Sequence, residues 1–187
     1  MNQGDAGTEF FPKGYEVPVQ AGNYMKFEDG ENTFRVLGKA VVGYEFWNVE
    51  GKPVRVAKDK LDTINQNDIR RDPVSGNPEK VKHFWAFPVW NYEAKRLQIL
   101  QITQSTIMTA IKALVDNAKW GAPQGYDITV TKTGQKLTTE YAVMPNPHAP
   151  VPEEAQKALK ATHIELERLF TGDNPFVVEA TEAGAAA

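Results

Sequence analysis

Few residues of this chain have the types and spacing that catalysis requires. A nucleophilic triad needs Ser, Thr or Cys beside a histidine base, yet the chain has no cysteine and its only serines are Ser75 and Ser105. The histidines at 83, 148 and 163 lie in unlike contexts and lack the spacing of a zinc site. No glycine-rich phosphate-binding motif occurs either. We therefore expect no enzymatic activity, no metal site and no cofactor.

Two carboxylates and a lysine provide one alternative chemistry. Asp116, Asp127 and Lys132 could together hold a metal ion and activate a water molecule. A metal-dependent nuclease therefore stays open as a hypothesis, although residues of these types occur by chance in most chains.

Aromatic residues are concentrated in two stretches, YEFW at 44–47 and FWAFPVWNY at 84–92. Exposed rings beside cationic side chains can stack on nucleic-acid bases and neutralise phosphates, and each stack is worth roughly 1–3 kcal/mol. Such stacking tolerates any base sequence, so the pattern favours sequence-independent binding of nucleic acid. The predicted DNA-binding residues are Arg35, Tyr44, Trp47, Arg55, Lys58, Lys60, Lys82, Trp85, Trp90 and Tyr92.

A structural role for the same aromatic residues is the alternative. Strict alternation places Phe84, Trp90 and Tyr92 on one face of a strand and Trp85 and Phe87 on the other. Since both faces are aromatic, alternation does not decide which of them points outward. One set can pack under a C-terminal helix or in a dimer interface, where aromatic residues also dominate.

The elements that must position these residues are mostly short strands. Period-2 alternation predicts strands at 32–37, 40–47 and 52–56, and hairpins at 82–103 and 126–144. Helical spacing predicts one internal helix at 105–119, and the polar stretch 57–80 is interpreted as a binding loop without regular structure. The expected fold is mainly β with α, a partly open five- to seven-stranded OB-type β-barrel with one internal helix and a C-terminal helix. SH3-like barrels and sandwiches remain alternatives.

Composition and charge suggest four regions along the chain. They are a flexible N-terminal arm at 1–22, the DNA-binding domain at 23–147, a proline-rich link with an amphipathic helix at 148–171, and a disordered acidic tail at 172–187. The net charge of −3 conceals a central region, 23–147, that has 17 basic and 14 acidic residues. A mildly basic centre between acidic ends suits a protein that binds polyanions.

The chain lacks the sequence signatures of membrane proteins and of export. No apolar run approaches the roughly 18 residues that a membrane span needs, and residues 1–22 lack the basic-then-apolar pattern of a signal peptide. We expect a cytoplasmic protein with no membrane partner.

Five stretches in this order resemble the phage-encoded single-stranded DNA-binding protein family. They are YMKFEDGENTFRVLGKAVVGYEFW (24–47), HFWAFPVWNY (83–92), RLQILQITQSTI (96–107), WGAPQGYDITVTKTG (120–134) and LTTEYAVMPNP (137–147). The resemblance implies an OB-fold that coats single-stranded DNA during phage DNA replication and recombination in the bacterial host cell. It also implies recruitment of replication or recombination proteins through the acidic C-terminal tail.

Three points stay open at the level of sequence. The chain could form a homo-oligomer or a cooperative array on DNA, and it could bind RNA as well as DNA, because stacking serves both. The alternative function is a protein-interaction or assembly module of a phage replication complex, in which the aromatic face binds another protein.

Overall fold

The computed structural model describes residues 22–177 of the chain. The strands in this range are β1 (Tyr24–Met25), β2 (Gly30–Val36), β3 (Val41–Trp47), β4 (Pro53–Ala57), β5 (Lys82–Asn91), β6 (Arg96–Ile102), β7 (Tyr126–Thr133), β8 (Glu140–His148), β9 (His163–Ile164) and β10 (Phe176–Val177). The helices are α1 (Ser105–Asp116) and α2 (Glu153–Ala161), with 3-10 turns at Lys58–Thr63, Gln66–Asp68, Pro123–Gly125, Lys136–Thr138 and Leu166–Phe170.

Eight strands form one mixed sheet. Its main order is β1-β6-β5-β2-β7-β8, and β3 and β4 extend it beside β5. The long central strand β5 pairs with β6 on one edge, and on the other edge with β3 and then with β2. Within residues 22–177 these pairings do not close a ring, because β8 pairs with β7 alone. The mainly β fold with helices is confirmed, but the sheet has eight strands instead of five to seven.

The sequence does not predict the two-residue strands β9, β10 and β1, and of these only β1 joins the eight-stranded sheet within residues 22–177. It is two residues long, which is too short for any alternation to be visible. Tyr24 and Met25 pair in parallel with Ile99 and Leu100 of β6. The side-chain amide of Gln98 donates to the Gly22 carbonyl at 2.6 Å and fixes the entry of the chain onto the sheet.

The main core lies between one face of the sheet and helix α1. The period-2 pattern predicts its strand residues well, because alternate residues of β2 and β7 are buried together. Helix α1 begins at Ser105, as helical spacing predicts, and ends at Asp116. The fully or nearly fully buried members include Phe34, Val36, Phe87, Val89, Leu100, Ile102, Ile107, Ile111, Tyr126, Ile128 and Val130. We call this side of the sheet the inner face.

A second core covers much of the opposite side, which we call the outer face. Phe84 and Ala86 of β5 and Ile99 of β6 are fully buried there beneath Leu166 and Leu169 from the C-terminal segment. Strand β5 is therefore covered on both faces over most of its length. For Phe84, this packing matches the structural alternative drawn from the sequence.

The C-terminal helix is shorter than the amphipathic pattern predicts. Helix α2 ends at Ala161, and the chain then extends into β9, which pairs with β10. The Glu165 amide donates to the Pro175 carbonyl at 2.8 Å, which completes this hairpin. Leu166 and Leu169 reach the sheet from a 3-10 turn, so their spacing of three residues reflects that turn and not a continuous α-helix.

Two predicted regions extend past the described residues. The acidic tail was predicted to begin at 172, but Phe176 and Val177 belong to β10. The rest of the predicted tail, 178–187, lies outside the described residues. So do residues 1–21 of the predicted N-terminal arm at 1–22.

Gly43 allows the C-terminal segment to approach β3 closely. A Cβ atom at this position would lie 2.3 Å from the Val56 carbonyl oxygen and 2.8 Å from the Phe170 ring. The Phe84 ring would also be only 3.0 Å away. Since these atoms include backbone, a side chain here would force the strand or the covering segment to move.

The polar stretch 57–80 has more structure than the sequence predicts. It contains the 3-10 turns Lys58–Thr63 and Gln66–Asp68 and two isolated backbone bridges, Asn48 with Ile69 and Arg71 with Pro78. Ile69 is 1% exposed and anchors the stretch against the sheet. Asparagine and aspartate side chains cap its turns locally, which is why a low apolar content still gives a defined path.

Candidate nucleic-acid interface

An open groove of about 530 Å³ lies between the end of β3 and the polar loop that follows β4. We call it the Trp47 groove. Its residues come from β3, from the start of β5 and from the loop between them. They are Glu45, Phe46, Trp47, Arg70, Asp72, Ser75, Asn77, Pro78, Glu79, Lys80 and Lys82.

Trp47 is the exposed aromatic residue in the lining of this groove. It is the last residue of β3 and is 39% exposed. The Arg70 guanidinium lies over its ring, with the guanidinium carbon 5.1 Å from the ring centroid. The Arg70 amide also donates to the Trp47 carbonyl at 2.7 Å, so the backbone of the loop continues the edge of β3. The arrangement is a cation–π contact, in which the guanidinium is attracted to the face of the ring.

Arg70 is held from a second direction by Glu79. Its Nε and Nη2 atoms donate to Oε1 and Oε2 of Glu79 at 2.8 and 2.9 Å, a two-point contact between guanidinium and carboxylate. The hydrogen bonds to Glu79 raise the pKa of Arg70 above its ordinary value. Arg70 and Glu79 are 43% and 26% exposed, so water reaches both partners.

Arg55 forms a more enclosed network beside the groove. Its Nη2 lies 2.8 Å from Oε2 of Glu45, and its Nε donates to the side-chain oxygen of Gln101 at 3.0 Å. The Gln101 amide in turn donates to Glu45 at 2.9 Å. The Arg55 guanidinium also lies 5.9 Å from the centroid of the Phe84 ring. Because the three polar side chains satisfy one another, this network fixes the outer face next to the groove.

The predicted lysines are exposed but do not form one cluster. Lys82 of β5 lies opposite Glu45 of β3 in the strand register, and both residues line the groove. Lys58 and Lys60 lie in the 3-10 turn that follows β4 and are exposed outside the groove lining. The structure therefore brings Trp47, Arg55 and Lys82 together and leaves Lys58 and Lys60 apart from them.

Two predicted residues, Tyr44 and Trp85, lie on the inner face. The Tyr44 ring contacts the imidazole of His83, with centroids 5.1 Å apart. Trp85 is half-buried and packs against the main core. A second groove of about 440 Å³ runs here between β5 and α1, and its lining includes His83, Trp85, Met108 and Ala113. Tyr44 and Trp85 are therefore on the opposite side of the sheet from Trp47.

Three further predicted residues, Arg35, Tyr92 and Trp90, lie on the outer face, where Arg35 and Tyr92 share a polar network with Asp127. Arg35 has a side chain only 1% exposed, and its Nε lies 2.6 Å from Oδ1 of Asp127. Its Nη1 donates to the Ala149 carbonyl at 2.9 Å. Tyr92 donates to the same Asp127 oxygen at 2.8 Å, and burial together with this hydrogen bond raises the pKa of Tyr92 to about 12. Trp90 is 6% exposed. In this conformation Arg35 and Trp90 do not reach the surface.

Reasoning from sequence did not include Arg70, Lys80 or Glu79 among the site residues. Arg70 and Lys80 lie in a loop whose basic and acidic residues nearly balance, so its net charge gives no signal. The position of Arg70 over Trp47 depends on the backbone bridge between Asn48 and Ile69. The only sequence signal was the length and polarity of the loop, which predicted a binding role for the stretch as a whole.

The residues of the nuclease hypothesis each have a separate partner. Asp116 pairs with Lys112 on the surface of α1, Asp127 pairs with Arg35, and Lys132 pairs with Asp29 at 3.0 Å. Among residues 22–177, no group of three or more His, Cys, Asp or Glu side chains is placed to hold a metal ion. The geometry gives the nuclease hypothesis no support.

Comparison with known proteins gives no match. No protein-family model, no curated protein and no solved structure matches this chain. Over the described range, none of the helices has the length and apolar character that crossing a membrane requires.

Proposed function

We propose that this chain is a non-catalytic protein that binds single-stranded DNA without sequence preference at the Trp47 groove. The observation that carries the proposal is the exposed Trp47 ring in an open groove that also contains Arg70, Lys80 and Lys82. An accessible ring stacks on any base, and cations beside it contact the phosphates on either side. These side chains recognise features that all DNA sequences share.

The order of the strands supports an OB-type barrel. Strands β2 and β3 both pair with β5 and would together correspond to a bent first strand, with β5, β6, β7 and β8 as the other four and β1 and β4 as additions to the barrel. Helix α1 lies between β6 and β7 in the chain. In OB folds, oligonucleotides bind on the face of the second and third strands and at the loop between the first and second. With this correspondence, the Trp47 groove would fall at that position, because its lining comes from β3, the start of β5 and the loop between them.

The resemblance to phage-encoded single-stranded DNA-binding proteins supports a more specific role. We propose that the chain coats and protects single strands during phage DNA replication and recombination in the cytoplasm of the bacterial host. Recruitment of replication or recombination proteins by the acidic end of the chain is part of this proposal, and 178–187 lie outside the described residues.

A fluorescence titration tests the DNA-binding function. Mixed-sequence single-stranded oligonucleotides should quench tryptophan emission, and the affinity should fall as salt rises, because phosphate contacts release counterions. Trp47→Phe should remove most of the quenching, while Trp85→Phe serves as the matched control on the inner face. Absence of binding at low salt, or equal affinity for a duplex of the same sequence, would contradict the proposal.

One observation favours the second candidate, a protein-interaction module. The inner-face groove beside α1 is lined by Trp85, Met108 and Ala113, which suit an apolar partner better than a phosphate chain. Binding of a replication protein that is lost in Trp85→Ala and unaffected by Trp47→Ala would support this candidate. Light scattering of the chain alone shows whether the partner is a second copy.

A further inference from the structure

We propose that Glu79 regulates DNA binding at the Trp47 groove. Its carboxylate binds the edge of the Arg70 guanidinium to which a DNA phosphate would otherwise bind, so the two compete. This inference rests on the single-stranded DNA binding proposed above. A carboxylate and a phosphate each present two oxygens to the same edge of a guanidinium. Glu79 accepts from both Nε and Nη2 of Arg70, at 2.8 and 2.9 Å, and so occupies the edge that a phosphate would use.

The same pair also restricts stacking. With its edge on Glu79, Arg70 lies over the Trp47 ring at 5.1 Å, which covers one of the two ring faces. A base that stacks on that face must displace the guanidinium. Before DNA binds, Arg70 therefore contacts both Glu79 and the Trp47 ring. The ion pair with Glu79 holds the guanidinium over the ring.

The exposure of the pair makes an exchange of partners feasible. Arg70 and Glu79 are 43% and 26% exposed, and ion pairs that water reaches contribute little to stability. The neighbouring Arg55 and Glu45 are 19% and 16% exposed and share Gln101 as a third partner. Separating Arg55 from Glu45 leaves more buried polar groups without hydrogen bonds than separating Arg70 from Glu79 does. The exchangeable cation of the groove is thus Arg70.

The position of the loop does not depend on the Glu79 carboxylate. The Arg70 amide donates to the Trp47 carbonyl at 2.7 Å, and the Glu79 amide donates to the Arg70 carbonyl at 2.8 Å. Both bonds are made by the backbone and persist when the side chain changes. Glu79→Gln therefore removes the competing charge while the walls of the groove stay in place.

The test compares four variants with the wild type, by fluorescence anisotropy of a labelled mixed-sequence single-stranded oligonucleotide at low salt. Glu79→Gln should tighten binding about three- to fivefold, as expected for release of a solvent-exposed ion pair. Glu50→Gln removes the same charge from an exposed pair with Lys52 outside the groove, and should change the affinity by less than about twofold. Arg70→Gln should weaken binding. In Glu79→Gln/Arg70→Gln, the gain from Glu79→Gln should be no larger than that from Glu50→Gln.

The outcomes separate this inference from the function on which it rests. If the wild type binds single strands but Glu79→Gln binds no more tightly than Glu50→Gln, Glu79 is not a competitor. If Glu79→Gln increases the affinity equally in the presence of Arg70 and in the Arg70→Gln background, the increase comes from net charge alone. That result would also overturn the inference. If the wild type and Glu79→Gln both fail to bind, the proposed function itself fails.

Discussion

The outer face of this sheet has an open part and a covered part, and strand β5 runs through both. At its first residue, Lys82 is exposed and lines the Trp47 groove. Two and four residues later on the same face, Phe84 and Ala86 are fully buried beneath the C-terminal segment. The strand geometry is the same in both parts. Whether a residue of this face meets solvent is decided by a segment that lies more than sixty positions further along the chain.

The ion pairs on this face also differ in their exposure to solvent. Away from the open part, Arg35 has a side chain only 1% exposed, which pairs with Asp127 and donates to backbone carbonyls. In the open part, Arg70 is paired with Glu79 in a position that water reaches. A buried pair is costly to break, while an exposed pair exchanges partners readily. The comparison therefore predicts large effects on stability at buried residues of this face and effects on binding in the open part.

The largest effect is expected from Asp127→Ala. It leaves the Arg35 guanidinium, whose side chain is 1% exposed, without its carboxylate. The free energy of unfolding should fall by about 3 kcal/mol or more, as urea denaturation would measure. Asp116→Ala is the matched control, because it breaks an exposed pair with Lys112 and should cost no more than about 0.5 kcal/mol. Equal losses in the two variants would refute a structural role for Arg35.

Leu169→Ala should have the next largest effect. Leu169 is 3% exposed in the second core, and truncation of a buried leucine leaves a cavity that costs roughly 2–4 kcal/mol. Leu137→Ala, at a fully exposed position, should leave the urea midpoint unchanged. The folded Leu169→Ala protein should still bind single strands. A gain in DNA affinity on loosening this segment would mean that the covered part also belongs to the binding surface.

Trp47→Ala addresses the open part. Binding of single strands should weaken by about tenfold, since stacking of one base is worth on the order of 1–3 kcal/mol. Trp47→Phe keeps a ring and should retain most of the affinity. Urea denaturation of both variants should stay close to that of the wild type, because Trp47 is 39% exposed. If Trp47→Ala binds single strands as tightly as the wild type, Trp47 is not part of the DNA interface. Tyr44 and Trp85 on the inner face are then the next residues to test.

The smallest effect concerns alkaline pH and the Tyr92 hydroxyl. Burial and the hydrogen bond to Asp127 raise the pKa of Tyr92 from 10.0 to about 12. A raised pKa means that the folded state favours the protonated phenol. Its contribution to stability is therefore fully present below pH 10 and is lost between pH 10 and about 12. Stability should decline more steeply with pH in the wild type than in Tyr92→Phe over this range. Parallel curves would show that Tyr92 titrates normally.

Most strands and the internal helix could be predicted from local pattern. The alternation of Phe34 with Val36, and of Ile128 with Val130, identifies residues that share the main core. Helical spacing around Ile107 and Ile111 locates α1. These patterns work because burial on one side of an element repeats with the period of that element.

The site was only partly predictable, because it depends on contacts between distant residues. Arg35 has the type and neighbours of a phosphate ligand, but Asp127, 92 positions away, holds it inside. Trp47 was predicted as a stacking residue and is exposed in the groove. Arg70 reaches Trp47 through a loop path that composition does not encode. Charge and aromatic content thus indicate the kind of surface, and the packing of distant segments determines which residues form it.

The bridge between Asn48 and Ile69 has a consequence for the entropy of binding. Buried Ile69 and the backbone bonds around Arg70 hold one wall of the Trp47 groove in place before any ligand is present. A loop that folded only on contact would lose conformational freedom at that moment and weaken the complex accordingly. Here that ordering is completed when the chain folds, so under the proposed function a strand would have to immobilise only side chains. The groove is preorganised although the loop that forms one of its walls is mostly polar.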